Sequence, residues 1–144
     1  MSFIDWQISR YCPPVFDVLY TVFSATDKKL RALHLKKLLD EYYSSLSETI
    51  RKLGSDPNKL YTYEDFQRQL KKFGKFALLC GPFLIQIKVA GAKDIGNLDE
   101  YAESIEKGEE GDVFNPFCEE TQSVYSTWVS DLVSDLVDYG YVEI

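Results

Sequence analysis

Two carboxylates near the start of the chain sit in the setting that metal and phosphate chemistry uses. In Phe3-Ile4-Asp5-Trp6-Gln7 an apolar pair leads into Asp5 and an aromatic residue follows at once. Further on, in Pro13-Pro14-Val15-Phe16-Asp17-Val18-Leu19, Asp17 opens an apolar helical run. Phosphoryl transfer needs charge on the departing phosphates neutralised, and Mg²⁺ held by a carboxylate does that. Mg²⁺ takes few protein oxygens and keeps waters and phosphates as its other ligands. One Asp at a strand end, with an Asn or Asp from elsewhere, then suffices on the protein side. The pentapeptide is equally an ordinary strand end, and Asp17 equally an ordinary first-turn charge favoured by the helix dipole. A carboxylate with so many apolar neighbours should also need a buried partner.

The other reactive residues point less far. The only histidine, His34, is flanked by leucines in a helical run and reads as a helix-face or packed residue, not a base. The three cysteines, Cys12, Cys80 and Cys118, are widely spaced with no CxxC pair. No zinc site is expected from them. Each reads as a small buried hydrophobe, and the count suits a reduced, cytoplasmic setting. Asp94, Asp99, Glu100, Glu103, Glu106, Glu109, Glu110 and Asp112 lie among four glycines without EF-hand spacing, so residues 94–113 read as a solvated acidic loop.

The elements that must position these residues are mostly helical. Ser2 to Ile8 is the one segment with a clear strand pattern, and a lone strand is unstable without a neighbour. A helix is predicted from about Pro14 to Ser24, apolar on nearly every side and therefore buried. Thr26 or Asp27 caps a second helix that runs to about Leu53 and closes at Gly54. Its apolar stripe reads as Leu30, Leu33, Leu38, Tyr42, Leu46, Ile50 and Leu53. Ser55 to Asn58 is a turn. Thr62 caps a third helix, with Phe66, Leu70, Phe73, Phe76 and Ala77 on its apolar side and Gln67, Arg68, Lys71, Lys72 and Lys75 on a basic one. Gly81-Pro82 should break or kink it, before a short run to Ala90 that reads as helix. A last helix spans about Glu119 to Tyr139 and ends at Gly140. Val124, Tyr125, Trp128, Leu132, Val133, Leu136 and Tyr139 form its apolar face, with Asp131, Asp135 and Asp138 on or beside the other.

Composition bounds the class. The chain has 144 residues, 45% hydrophobic and 15% aromatic, which fits one globular domain with a packed core. No apolar run is long enough to span a membrane, and no signal peptide is visible. Net charge is −7, with a net +6 over residues 1–93 and −13 over residues 94–144. That acidity argues against a nucleic-acid partner.

Taken in order, the motifs carry a resemblance. The Asp5 and Asp17 segments, Ser24-Ala25-Thr26-Asp27-Lys28-Lys29-Leu30-Arg31, Tyr42-Tyr43-Ser44-Ser45-Leu46, Tyr61-Thr62-Tyr63-Glu64-Asp65-Phe66 and Lys72-Phe73-Gly74-Lys75-Phe76 resemble the C-terminal part of the ecdysteroid kinase-like (CHK kinase-like) family. That family is a branch near the choline and aminoglycoside kinases of the protein kinase-like superfamily. The resemblance implies a mainly α chain, the helical C-terminal lobe of a protein kinase-like fold with one short N-terminal strand. It implies three parts of one lobe: helices and the apolar run over about residues 1–93, the acidic loop over about 94–113, and the terminal helix over about 114–144. It makes Asp5 a metal ligand and Asp17 a brace for the catalytic loop. It implies Mg²⁺ and ATP as cofactors of the whole enzyme, and a small, steroid-like alcohol as acceptor.

The glycine-rich loop, the strand lysine and the catalytic loop of such kinases have no counterpart in this sequence. The chain therefore looks truncated, is expected to be inactive alone, and is expected to bind neither cofactor tightly. No catalytic residue is assigned to it, and its substrate-facing aromatics are not chosen. A non-catalytic helical binding module is the alternative, with self-association or a partner chain covering the N-terminal strand.

Overall fold

The computed structural model describes residues 9–91, 94–108 and 117–143. Among the described residues every regular element is a helix: α1 Val15–Ala25, α2 Lys28–Lys52, α3 Pro57–Leu60, α4 Tyr63–Phe73, α5 Lys75–Val89, α6 Leu98–Glu106 and α7 Glu119–Asp138. The mainly α expectation holds. The strand read at Ser2 to Ile8 lies outside the described residues.

Short-range chemistry sets most boundaries. The Asp27 side chain accepts from the Leu30 backbone N–H at 2.7 Å and starts α2. Gly54, at φ 86°, and Gly140, at φ 67°, take the left-handed conformation that follows α2 and α7. Thr62 and Asp65 form a capping box at α4: Asp65 N–H donates to Thr62 Oγ1 at 3.0 Å, and Thr62 N–H donates to Asp65 Oδ2 at 3.2 Å. Within the expected turn, the Asp56 carboxylate accepts from Asn58 N–H at 3.0 Å and starts the short α3.

Two helix boundaries differ from the sequence reading. The break in the third predicted helix falls at Gly74, not at Gly81-Pro82. A Cβ on Gly74 would collide with the Tyr141 carbonyl oxygen and come within 2.7 Å of Tyr141 Cβ, so the C-terminal segment packs directly on this backbone. Pro82 sits inside α5. That helix is held on two sides, against α1 and against α7, and this packing carries it through the proline. The second difference is α6, which occupies much of the expected acidic loop. Leu98, Tyr101, Ala102 and Ile105 have helical spacing, a signal the acidic composition obscured. Asp94 is no solvated loop residue either. It is buried, accepting from Gly91 N–H at 2.8 Å and from the Thr121 hydroxyl at 2.9 Å. It thereby ties the end of α5 to the start of α7.

The core is built around α1. Val15, Leu19 and Phe23 recur every four residues and are fully buried beside Val18. They meet Leu35 and Leu39 of α2, Phe66 and Leu70 of α4, Ala77 and Ile85 of α5, and Leu132 and Leu136 of α7. Tyr141 closes the cluster, with its ring 5.9 Å edge-on from Phe23. Each fully buried apolar side chain of this size contributes about 1.5–3 kcal/mol.

The buried line of α2 is Arg31, Leu35, Leu39 and Ser47, not the stripe read from the sequence, in which Leu33 and Leu53 are in fact exposed. Arg31 holds the place of an apolar residue because it has a partner. Its Nε donates to Asp135 Oδ2 at 2.6 Å, and Nη1 donates to the Thr26 carbonyl. Arg31 is 1% exposed and Asp135 3%. Asp135, read as a face-on or beside-face charge, therefore lies inside, and the pair fastens α2 to α7. Lys28 adds an ion pair to Asp135 at 3.7 Å and a hydrogen bond to Ser134 Oγ at 2.9 Å.

Candidate functional site

The first turn of α1 has two duties. Val15, Val18 and Leu19 point into the core, and the 100° step of the helix then leaves Asp17 and Tyr20 on the far side, with Phe16 half-buried at the core's edge. The chain from Ser9 to Cys12 runs beside that side, and Phe76 of α5 approaches from below. Together these residues line an open cleft of about 670 Å³. Its wall is aromatic: the Phe16 ring lies 4.6 Å from Phe76 and 5.0 Å from Phe73. Its polar groups are the Asp17 carboxylate, the Arg10 guanidinium, the Cys12 thiol and the Ser9 and Tyr20 hydroxyls.

Asp17 is exposed, and it makes no ion pair among the described residues. The burial that would require a buried partner is absent, since Asp17 is exposed. Being in a helix first turn is enough to stabilise its charge. Behind the cleft, the Tyr42 hydroxyl donates to the Pro14 carbonyl at 3.0 Å and ties α2 to the start of α1. Burial pushes the Tyr42 phenol up to about 12, with the Asp17 carboxylate and Cys12 adding to the effect. Such a cleft can hold an apolar body against its rings and orient a polar group at its rim. Its described residues contain no nucleophile paired with a base.

The remaining residues singled out in the sequence are scattered. Asp5 lies outside the described residues. Among the described residues no group of three or more His, Cys, Asp or Glu is placed to hold a metal ion, so these residues by themselves assign no step to Mg²⁺. His34 is exposed on α2. Cys12 and Cys118 are exposed and Cys80 half-buried, against the expectation of buried thiols. Cys118 precedes α7, and a hydrogen bond with the Thr121 hydroxyl holds its thiol below the usual range. Burial raises that of Cys80. Among the described residues no helix is long and apolar enough to cross a membrane.

Sequence reasoning missed Arg31 and Asp135. The signal was available: Arg31 is in line with Leu35 and Leu39, and Asp135 lies among Leu132 and Leu136. A single charge on each of two apolar lines, with opposite signs, is how a buried pair is written. No curated protein and no solved structure matches the chain. The model of the ecdysteroid kinase-like family matches residues 1–55, the stretch that carries Asp5, Asp17 and the Asp27-capped start of α2.

Proposed function

We propose that this chain is the C-terminal portion of an ATP-dependent O-phosphotransferase that acts on a small lipophilic alcohol of steroid-like size, working in the cytoplasm. The family match over residues 1–55 carries the reading, because it covers both carboxylates for which phosphoryl transfer has a use. In this reading Asp5 is the Mg²⁺ ligand and Asp17 braces a catalytic loop supplied from outside these residues. The glycine-rich loop, the lysine and the base also come from outside, so the chain alone transfers no phosphate. The exposure of Asp17 beside an aromatic cleft supports this role. A carboxylate that makes no ion pair among the described residues is available to a group brought by the catalytic loop.

The test compares two preparations. The isolated chain, given ATP, Mg²⁺ and a panel of hydroxylated sterols, should release no ADP above background. A longer chain that includes the upstream kinase elements should turn over, and Asp5→Asn and Asp17→Asn should each lower its kcat by about a hundredfold or more, while leaving the melting of the isolated chain within about 2 °C of the parent. Turnover by the isolated chain, or full activity of both variants, would remove the reading. In that case a stand-alone helical binding module becomes the better description.

A further inference from the structure

A second cleft lies between α2 and α4 and shares no lining residue with the first. Aromatic rings prop the two helices apart. Tyr42 stacks on Phe66 at 5.8 Å, and Tyr43 meets Tyr63 edge-on at 5.1 Å. Past these rings, toward the start of α2 and the end of α4, no described residue fills the space. The result is a cleft of about 370 Å³, closed at one end by Tyr139 and Tyr141. That is the size of a pocket for a small organic ligand, where about 300 Å³ is the lower limit.

Its lining is divided by chemistry. Ala32, Leu35 and Leu39 supply an aliphatic floor, and Tyr63, Tyr139 and Tyr141 supply rings. The charged residues that line it are Arg31, Lys36 and Lys71, with no carboxylate among the described lining. Two of the three charges are already matched. Arg31 is bonded to Asp135 at 2.6 Å, and Lys36 to Asp40 at 2.6 Å, where Asp40 also accepts from the Tyr63 hydroxyl at 2.7 Å. Lys71 has no ion pair among the described residues. Among the described residues the cleft thus presents one positive charge without an ion pair, over an apolar and aromatic bed, in a protein whose net charge is −7.

We propose that this cleft binds an amphipathic organic anion: one carboxylate, sulfate or phosphate group held at Lys71, with a ring or short-chain body on Leu35, Leu39 and the tyrosines. The proposal does not depend on the phosphotransferase reading. It rests on different residues and stands whether or not the chain comes from a kinase.

The probe is anilinonaphthalene sulfonate, which joins a fused-ring body to one anionic group. Its neutral counterpart, phenylnaphthylamine, has the same rings without the sulfonate. Titrated into the full 144-residue chain, the sulfonate should bind at a saturable site that Lys71→Glu weakens, and the neutral compound should bind there about tenfold more weakly, as a charge-assisted contact implies. Lys71→Glu should weaken the sulfonate by about tenfold or more and leave the neutral compound unchanged. Ala32→Trp, which fills the cleft from an exposed helix position, should weaken both. Ala32 and Lys71 are both exposed, so the variants should keep the parent's helical circular dichroism and cooperative melt. Equal binding of the two probes, sulfonate binding unchanged in Lys71→Glu, or both probes unaffected by Ala32→Trp would overturn the proposal. Displacement of the sulfonate by equimolar inorganic phosphate would overturn it too, because the body would then contribute nothing.

Discussion

The strongest wager that the fold allows concerns the buried pair between α2 and α7. Replacing Asp135 by Leu removes the carboxylate and leaves the Arg31 guanidinium 1% exposed, with the Thr26 carbonyl and the face of Phe23, 5.8 Å away, as its company. Stranding a buried charge in this way costs about 3–5 kcal/mol. Replacing Arg31 by Met is gentler. The orphaned carboxylate still has Lys28 at 3.7 Å, whose side chain is 41% exposed and can swing inward. The expected cost is about 2–3 kcal/mol. The double variant, Arg31→Met with Asp135→Leu, puts two apolar side chains where the pair was and should fall within about 1 kcal/mol of the parent. The interaction term of the cycle is then about 4 kcal/mol or more, far above what independent sites give.

Urea denaturation followed by tryptophan fluorescence, with Trp128 on α7 as an internal reporter, reads all four proteins. A domain of this size has about 5–15 kcal/mol of stability in total, so Asp135→Leu should lower the midpoint by about 2 M at constant slope. Because the pair is out of contact with solvent, molar salt should leave the ordering unchanged. Single variants that each cost less than about 1 kcal/mol, or a double variant whose loss is the sum of the singles, would refute the reasoning. The pair would then behave like a surface ion pair.

Other expectations follow from single observations. Gly74→Ala places a Cβ against the Tyr141 backbone, which has no flexible end to give way. It should cost about 1–3 kcal/mol in a thermal melt, and a parent-like melt would mean that Tyr141 packs elsewhere. Ser47 is buried, with no hydrogen-bond partner for its hydroxyl among the described residues. Ser47→Ala should therefore stabilise by about 1 kcal/mol in urea, and a loss would show that the hydroxyl is satisfied. Burial raises the phenols of Tyr42, Tyr61 and Tyr141 to about 12. The folded state favours their protonated form, so this stability is complete below the unfolded value of about 10 and is lost as pH climbs from there toward 12. The urea midpoint should drop across that window and drop less in Tyr141→Phe, whereas a flat profile would contradict the burial of these hydroxyls.

What could be read from the sequence was whatever is settled within four residues. The Asp27 cap, the Thr62 capping box and the glycines after α2 and α7 are local hydrogen-bond or dihedral solutions, and their residues announce them. Where a second segment decides, the reading failed. Gly74 breaks a helix because Tyr141 presses on it from the far end of the chain. Pro82 does not break one because α1 and α7 hold both sides of α5. The apolar stripe of α2 runs through Leu30 and Leu33 only if leucine is counted as buried and arginine as exposed. The true line passes through Arg31, and only Asp135, 104 positions away, makes that affordable.

The same division governs the candidate site. Asp17 was legible as a first-turn carboxylate, but its apolar neighbours suggested that it was buried with them. Those neighbours divide, in fact. Val15, Val18 and Leu19 are buried in the core, Phe16 packs half-buried at its edge against Phe73 and Phe76, and Tyr20 is exposed. A carboxylate exposed on the far side of such a helix contributes little stability: a first-turn charge is worth only about 0.3–1 kcal/mol. Among the described residues, packing asks little of the acid at position 17 beyond its place in a helix first turn. The proposed phosphotransferase role of Asp17 and the stability of the chain can therefore be separated by one substitution.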